Sequence, residues 1–214
     1  VRCRQCGADQ SPAPLCASCE AVLPLPPDAD PYQIFGIARR PDLDAEVLSR
    51  RYYELSRRLH PDGHTSGPPE EHQASMHNTA ALTRAYRTLR DPVSRGRHWL
   101  EMHGENLGDD NRVPPELAAR VFEVQEKLDD LRGSEGSERA RAAAEVGAEL
   151  EALRAEVADS EARLEKNFRA WGASETKILL ADLKSILSRR AYLATLLRDV
   201  ASALEGEGEG AKPR

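Results

Sequence analysis

The stretch RRLHPDGH, Arg57 to His64, separates two segments of helical periodicity, and its reading decides the fold. Pro61 fixes its own φ and biases His60 away from the helical region, so a helix that runs into this stretch must end there. Before it, DLDAEVLSRRYYELSRRLH spaces Leu48, Tyr52, Leu55 and Leu59 as one buried helical stripe. Asp44 stands where a cap is needed, and Leu43 and Leu48 suit a hydrophobic staple. Arg50 and Arg57 fall opposite the stripe, with Arg51 and Arg58 on its flank. Alone, such arginines read as a solvated helix face. After it, EEHQASMHNTAALTRAYRTLRD has acidic residues in its first turn and an inner face of Leu82, Ala85, Tyr86 and Leu89. Two antiparallel helices joined by HPDGHTSGPP are therefore expected. His60 and Asp62 could form half of an acid–base site, or a rigid turn that another protein reads.

The bulk composition narrows the classes. Charged residues make up 31% and aromatics 5% of the 214 residues, a balance that favours long helices. A formal net charge of −6 argues against a general nucleic-acid binder, which needs a basic surface to neutralise phosphates. No apolar run approaches the roughly 18 residues of a membrane span, and no signal-peptide core is visible. A soluble, intracellular protein is expected, with neither nucleic acid nor membrane among its partners.

Outward from the hairpin, the chain divides into five parts. Residues 31–104 form the hairpin domain, opened by DADPYQIFGI, in which Asp30 can cap and Pro31 suits the first turn of a short helix. Residues 21–30, AVLPLPPDAD, read as an extended Pro-rich linker. Residues 1–20 hold all four cysteines, residues 113–204 are nearly continuous helical pattern, and residues 205–214, EGEGEGAKPR, are expected to be disordered. GENLGDDNRVPP marks the boundary between hairpin domain and helical region.

Cys3-x2-Cys6 and Cys16-x2-Cys19 form two CxxC pairs, each able to place two thiolates on one tetrahedral ion. Four thiolates fill the coordination sphere of zinc and leave no position for water, so the site is structural rather than catalytic. A module this short has almost no core of its own, and metal binding would be most of its folding energy. An iron–sulfur cluster on the same cysteines is the main rival, and disulfides or a redox CxxC are further alternatives. The histidines outside RRLH show no convincing ligand spacing. A metal-dependent enzyme built on His60 and Asp62 would need an open metal site or a nucleophile–base pair, and the cysteine set offers neither.

In the helical region, Leu117, Val121, Val124, Leu128 and Leu131 form one stripe. Val146, Leu150, Leu153, Val157, Leu164, Phe168 and Trp171 form a second, and Leu179, Leu183, Ile186, Leu193, Leu197, Val200 and Leu204 a third. GSEGS and WGAS separate them, with Gly172 placed as a helix C-terminal cap and Ser174 as an N-cap. Short loops between amphipathic helices predict an antiparallel three-helix bundle. Phe122 lies about 140° from Leu117 on the helical wheel and should be exposed, sharing its face with Ala118, Ala119 and Glu126, with Glu123 at the edge. Tyr192 is expected to point away from the third stripe. Aromatics outside a core seam suggest a binding patch, although single exposed apolar residues are common.

The tripeptide His60-Pro61-Asp62, after a basic helix, before an antiparallel helix ending AYRTLRDP and about 25 residues after YQIFGI, resembles the J-domain, the module that activates DnaK-type chaperones. The resemblance implies that His60, Pro61 and Asp62 trigger ATP hydrolysis in the partner and that Arg50, Arg51, Arg57 and Arg58 dock it. The chain itself would then be no enzyme and would carry no catalytic residues. Gly63 departs from the pattern, since J-domains often carry a basic residue there. With FGI, SRGRHWLEMHG and EVQEKLDDL, residues 31–204 are similar to the HscB-type co-chaperones of iron–sulfur cluster assembly, some of which also carry an N-terminal two-CxxC segment. An all-α fold is expected: a J-domain hairpin, an antiparallel three-helix bundle and a small zinc-binding module. The resemblance implies an HscA-like DnaK-type partner and an IscU-type scaffold bound by the bundle. The scaffold patch would be Ala118, Ala119, Phe122, Glu123, Glu126 and, less directly, Tyr192; relatives carry bulkier residues at 118 and 119. A monomer or weak dimer in the cytoplasm, or in the mitochondrial matrix of a eukaryote, is expected. The alternative is a general J-domain co-chaperone whose bundle binds unfolded proteins.

Overall fold

A computed structural model describes residues 1–65, 67–107, 115–172 and 176–209. The expected cap at Ser174, residues 108–114 of the boundary segment and residues 210–214 of the tail lie outside the described residues. The described chain is all-α: α1 (Pro31–Phe35), α2 (Ala45–Arg58), a 3-10 turn (Pro61–His64), α3 (Pro69–Arg90), α4 (Pro92–Met102), α5 (Pro115–Gly133), α6 (Gly136–Arg169) and α7 (Thr176–Glu209). Extended pairing among the described residues is limited to two isolated bridges. The chain forms two compact units, Val1–Trp99 and Leu100–Arg214, which divide within α4.

In the first unit the caps stand where the sequence places them. The Asp30 carboxylate accepts from the Tyr32 N–H at 3.2 Å, and Asp44 accepts from Glu46 and Val47 at 2.8 and 3.0 Å. Leu48, Leu55 and Leu59 are buried from the α2 side, Leu82, Ala85 and Leu89 from α3. Each such leucine contributes roughly 1.5–3 kcal/mol of transfer free energy. Tyr52 is only half-buried; its ring stacks on Tyr86 with centroids 4.2 Å apart. The end of α2 is tied to α3 by hydroxyls: Ser75 Oγ and Thr79 Oγ1 donate to the Leu59 carbonyl at 2.6 and 2.9 Å. A helix-end carbonyl that would otherwise be unsatisfied thereby fixes the spacing of the two helices.

The N-terminal segment is two copies of one knuckle. Cys3 N–H donates to the Ala8 carbonyl and Gly7 N–H to the Cys3 carbonyl, both at 2.9 Å; Cys16 N–H and Glu20 N–H repeat the pattern at 2.8 and 2.9 Å. The bridges Arg2–Asp9 and Leu15–Val22 close the two turns. Residues 21–30 do not hang free as a linker. Val22, Leu23 and Leu25 are buried, and the Leu23 and Leu25 backbones bond to Asn78 of α3. The prolines keep the segment extended, and its leucines pin it down.

In the second unit α5, α6 and α7 pack as the expected three-helix bundle around Leu117, Val124, Leu128, Leu153, Leu193 and Val200. Leu187 and Leu196 are buried beyond the expected stripe, because a helix with two neighbours needs a wider apolar face than one heptad seam. A polar lattice ties the flanks. Arg120 bonds Glu149 and Glu156, Lys127 Nζ reaches Glu149 at 2.6 Å, and Arg189 reaches Glu156 at 2.9 Å. α6 ends with Ala170 as cap, and Gly172 at φ +91° turns the chain out. α7 continues through residues 205–209, which composition alone assigned to a disordered tail. A helix already nucleated propagates through glutamates readily, and each glycine costs only about 1 kcal/mol.

Candidate functional site

His60, Pro61 and Asp62 stand together in the segment that joins α2 to α3. His60 leaves α2 in extended backbone (φ −63°, ψ 127°), as the following proline requires, and opens the 3-10 turn. Its Nδ1 accepts from the Asp62 N–H at 3.3 Å. The ring nitrogen used as acceptor carries no proton, so the neutral ring holds its proton on Nε2. The His60 and Asp62 side chains are 58% and 88% exposed, so they face solvent rather than an enclosed reaction site. The turn is held from behind by His64. Its Nε2 lies 3.0 Å from the Arg58 carbonyl and its Nδ1 3.1 Å from Glu71. A Cβ at Gly63 would meet nothing within 4 Å, so no steric demand explains the glycine.

The four arginines separate into two pairs. Arg50 and Arg57 are exposed and form no ion pair among the described residues. Arg51 is held by Glu54 at 2.9 Å and by the Phe35 carbonyl at 3.4 Å. Arg58 pairs with Glu20 of the second knuckle at 3.1 Å and with Glu54 at 3.6 Å. The free basic face of α2 is thus Arg50 and Arg57, with Tyr53 between them at helical spacing and 64% exposed. Sequence reasoning passed over Tyr53, although it is an aromatic residue outside the stripe, the signal used for Phe122.

On α5 of the second unit, Phe122 is 71% exposed, and Ala119, Glu123 and Glu126 are exposed with it. Ala118 is half-buried. The result is one exposed ring with a small-residue shoulder and two carboxylates. Tyr192 differs from expectation: it is half-buried and packs against the bundle core. It lies one turn before the buried Leu196, in the second apolar row that α7 needs because it has two neighbours.

The four cysteines converge. Their sulfur atoms all lie within 4.8 Å of one another, with Cys3–Cys19 and Cys6–Cys16 at 3.6 Å. Backbone N–H groups of Cys19 and Ser18 hold the Cys16 thiol down at about 6, and those of Cys6 and Gln5 lower Cys3. At Cys19 the Ala21 N–H acts downward, but burial and the thiols of Cys6, Cys3 and Cys16 outweigh it and push Cys19 up to about 12. Four thiolates this close repel one another unless a cation stands among them. The donor set is all sulfur, complete and closed, so the residues fit a tetrahedral ion and can hold one. No other group of three or more His, Cys, Asp or Glu with ligand geometry occurs among the described residues.

The contacts that sequence reading missed are those that join knuckles to hairpin. Asn78 is fully buried and bonds the backbone at Pro14, Leu23 and Leu25. Ser75 and Asn78 continue the register of Leu82, Ala85 and Leu89. Polar residues on an apolar stripe are the signal, because they can be buried there only with partners.

No protein-family model matches the sequence. Among solved structures, the human co-chaperone protein HscB superposes with a TM-score of 0.67 at 23% identity, over 94% of this chain and 97% of that one. The chaperone HscB from Vibrio cholerae superposes with a TM-score of 0.61 at 21% identity, over 83% of this chain and 99% of that one. The fold is shared with both along nearly their whole length. No helix among the described residues is long and apolar enough to cross a membrane.

Proposed function

We propose that this protein is an HscB-type J-domain co-chaperone of iron–sulfur cluster assembly, with a zinc-bearing N-terminal module. The observation that carries the reading is the His60-Pro61-Asp62 turn joining the two arms of a capped helical hairpin, in a chain whose fold is that of two HscB proteins. The protein performs no bond chemistry itself. Arg50 and Arg57 dock an acidic surface of a DnaK/HscA-type ATPase, Arg51 and Arg58 border that face, and His60 offers its Nε2–H to the docked chaperone, whose own site hydrolyses ATP.

The bundle binds an IscU-type scaffold through Phe122, with Ala118 and Ala119 as shoulder and Glu123 and Glu126 as acidic rim; Tyr192 supports the core behind it. Linking both contacts in one chain raises the concentration of scaffold near the chaperone. The protein acts in the cytoplasm, or in the mitochondrial matrix of a eukaryote, as a monomer or weak dimer. Cys3, Cys6, Cys16 and Cys19 hold zinc, which organises the module and takes no part in the ATPase cycle.

Single-turnover ATP hydrolysis by a purified HscA-type chaperone, with and without scaffold, tests this. Both proteins together should stimulate more than the product of either alone. His60→Gln should abolish stimulation and leave scaffold capture intact. Capture of denatured proteins with no scaffold complex would replace this reading with that of a general folding co-chaperone.

A further inference from the structure

We propose that the four-cysteine module is a metal-dependent brace for the His-Pro-Asp hairpin, tied to it chiefly through Asn78. This rests on the reading that the four thiolates hold a metal ion. Asn78 is 0% exposed on α3. Its Nδ2 donates to the Leu23 carbonyl at 2.7 Å and to the Pro14 carbonyl at 3.3 Å, and its Oδ1 accepts from the Leu25 N–H at 3.3 Å. All three partners are main-chain groups of the second knuckle and the extended segment on either side of it. A buried amide whose partners all come from one neighbouring segment is costly to leave unpaired, so α3 and that segment order together. Leu23 in turn packs its side chain on Cys3 and Cys16. A continuous path runs from the thiolates through Leu23 to Asn78.

A second, independent contact reaches the other helix. Glu20 stands at φ +63°, where the first knuckle has Gly7 at φ +74°. A side chain in that region is strained, and such strain persists only where the surroundings hold it. The Glu20 carboxylate lies 3.1 Å from Arg58 in the last turn of α2, two residues before His60. A pair this exposed contributes little by itself. It marks where the knuckle meets α2, as Asn78 marks where it meets α3. Metal that orders the knuckle therefore orders both arms of the hairpin, and by reciprocity the hairpin contacts retain the metal.

The test uses the full-length protein loaded with zinc, beginning with metal stoichiometry. A protein that binds no metal overturns both the metal reading and the brace; metal bound without coupling overturns the brace alone. Release of zinc to a colorimetric chelator should be about tenfold faster in Asn78→Ala. Leu153→Ala is the control, a buried residue of the bundle outside the unit that holds the cysteines, and its release rate should stay near that of the parent. Equal acceleration in the control, or none in Asn78→Ala, overturns the proposal. Hydrogen exchange supplies a second readout: zinc removal should deprotect backbone amides at 55–64 and 74–79. Should Asn78→Ala not fold, Asn78→Ser keeps a polar side chain too short to reach all three main-chain partners. It should hold zinc yet release it faster than the parent, and an unchanged release rate overturns the brace.

Discussion

At the scale of single residues, arginines that composition treats alike differ in what they are free to do. Arg58 is engaged by Glu20 and Glu54 and Arg51 by Glu54, whereas Arg50 and Arg57 face solvent. Under the proposed docking, replacing Arg50 and Arg57 together by Ala should lower ATPase stimulation about tenfold and flatten its salt dependence, because the steering charges are gone. Arg58→Ala alone should cost less; a larger loss there would mean that the Glu20 pair opens on docking. Phe122 poses the complementary case. An exposed ring contributes within about 0.5 kcal/mol to stability. Phe122→Ser should therefore leave the urea midpoint unchanged while weakening scaffold binding about tenfold or more, as read by titration calorimetry.

At the scale of helices, the polar lattice of the bundle has a pH signature. Burial alone would raise the Glu149 carboxyl, but hydrogen bonds from Lys127 and Arg120 outweigh it and hold the group below its ordinary value. The folded state thus binds fewer protons at this site than the unfolded chain. Its stabilisation is complete above the ordinary carboxylate range and is lost as pH falls through that range to the lowered folded value. The stability gap between the parent and Glu149→Gln, measured by urea unfolding, should shrink on acidification. A gap independent of pH would show that the lattice does not depend on this charge.

The helices of both units show what could be read in advance. Asp30 and Asp44 as caps, the Leu48–Leu55–Leu59 stripe and the exposure of Phe122 follow from local spacing, because each depends on neighbours within a few turns. Tyr192 did not follow, since the face a helix buries depends on how many helices surround it. The convergence of the cysteines was legible from the CxxC spacing, whereas the division among the arginines was not. Glu20 and Arg58 meet only in three dimensions.

At the scale of the whole molecule, the chain holds two units with separate sets of buried residues, and the four cysteines that can hold a metal belong to one of them. Zinc removal should raise hydrogen exchange within Val1–Trp99 and leave amides of the bundle core, around Leu153 and Leu183, at their former protection. Loss of protection in both would mean that the units fold as one cooperative block.

The reach of Asn78 also bears on how the protein is made. Its amide bonds the carbonyl of Pro14, a contact 64 residues apart in sequence. At a synthesis rate of roughly 5–20 residues per second, the knuckles emerge several seconds before the helix that will hold them. During that interval all four cysteines are present without the contacts that Asn78 makes. Under the proposed brace, arrival of α3 closes the interval, and metal exchange on a nascent chain that ends before α3 should be faster than on the full-length protein.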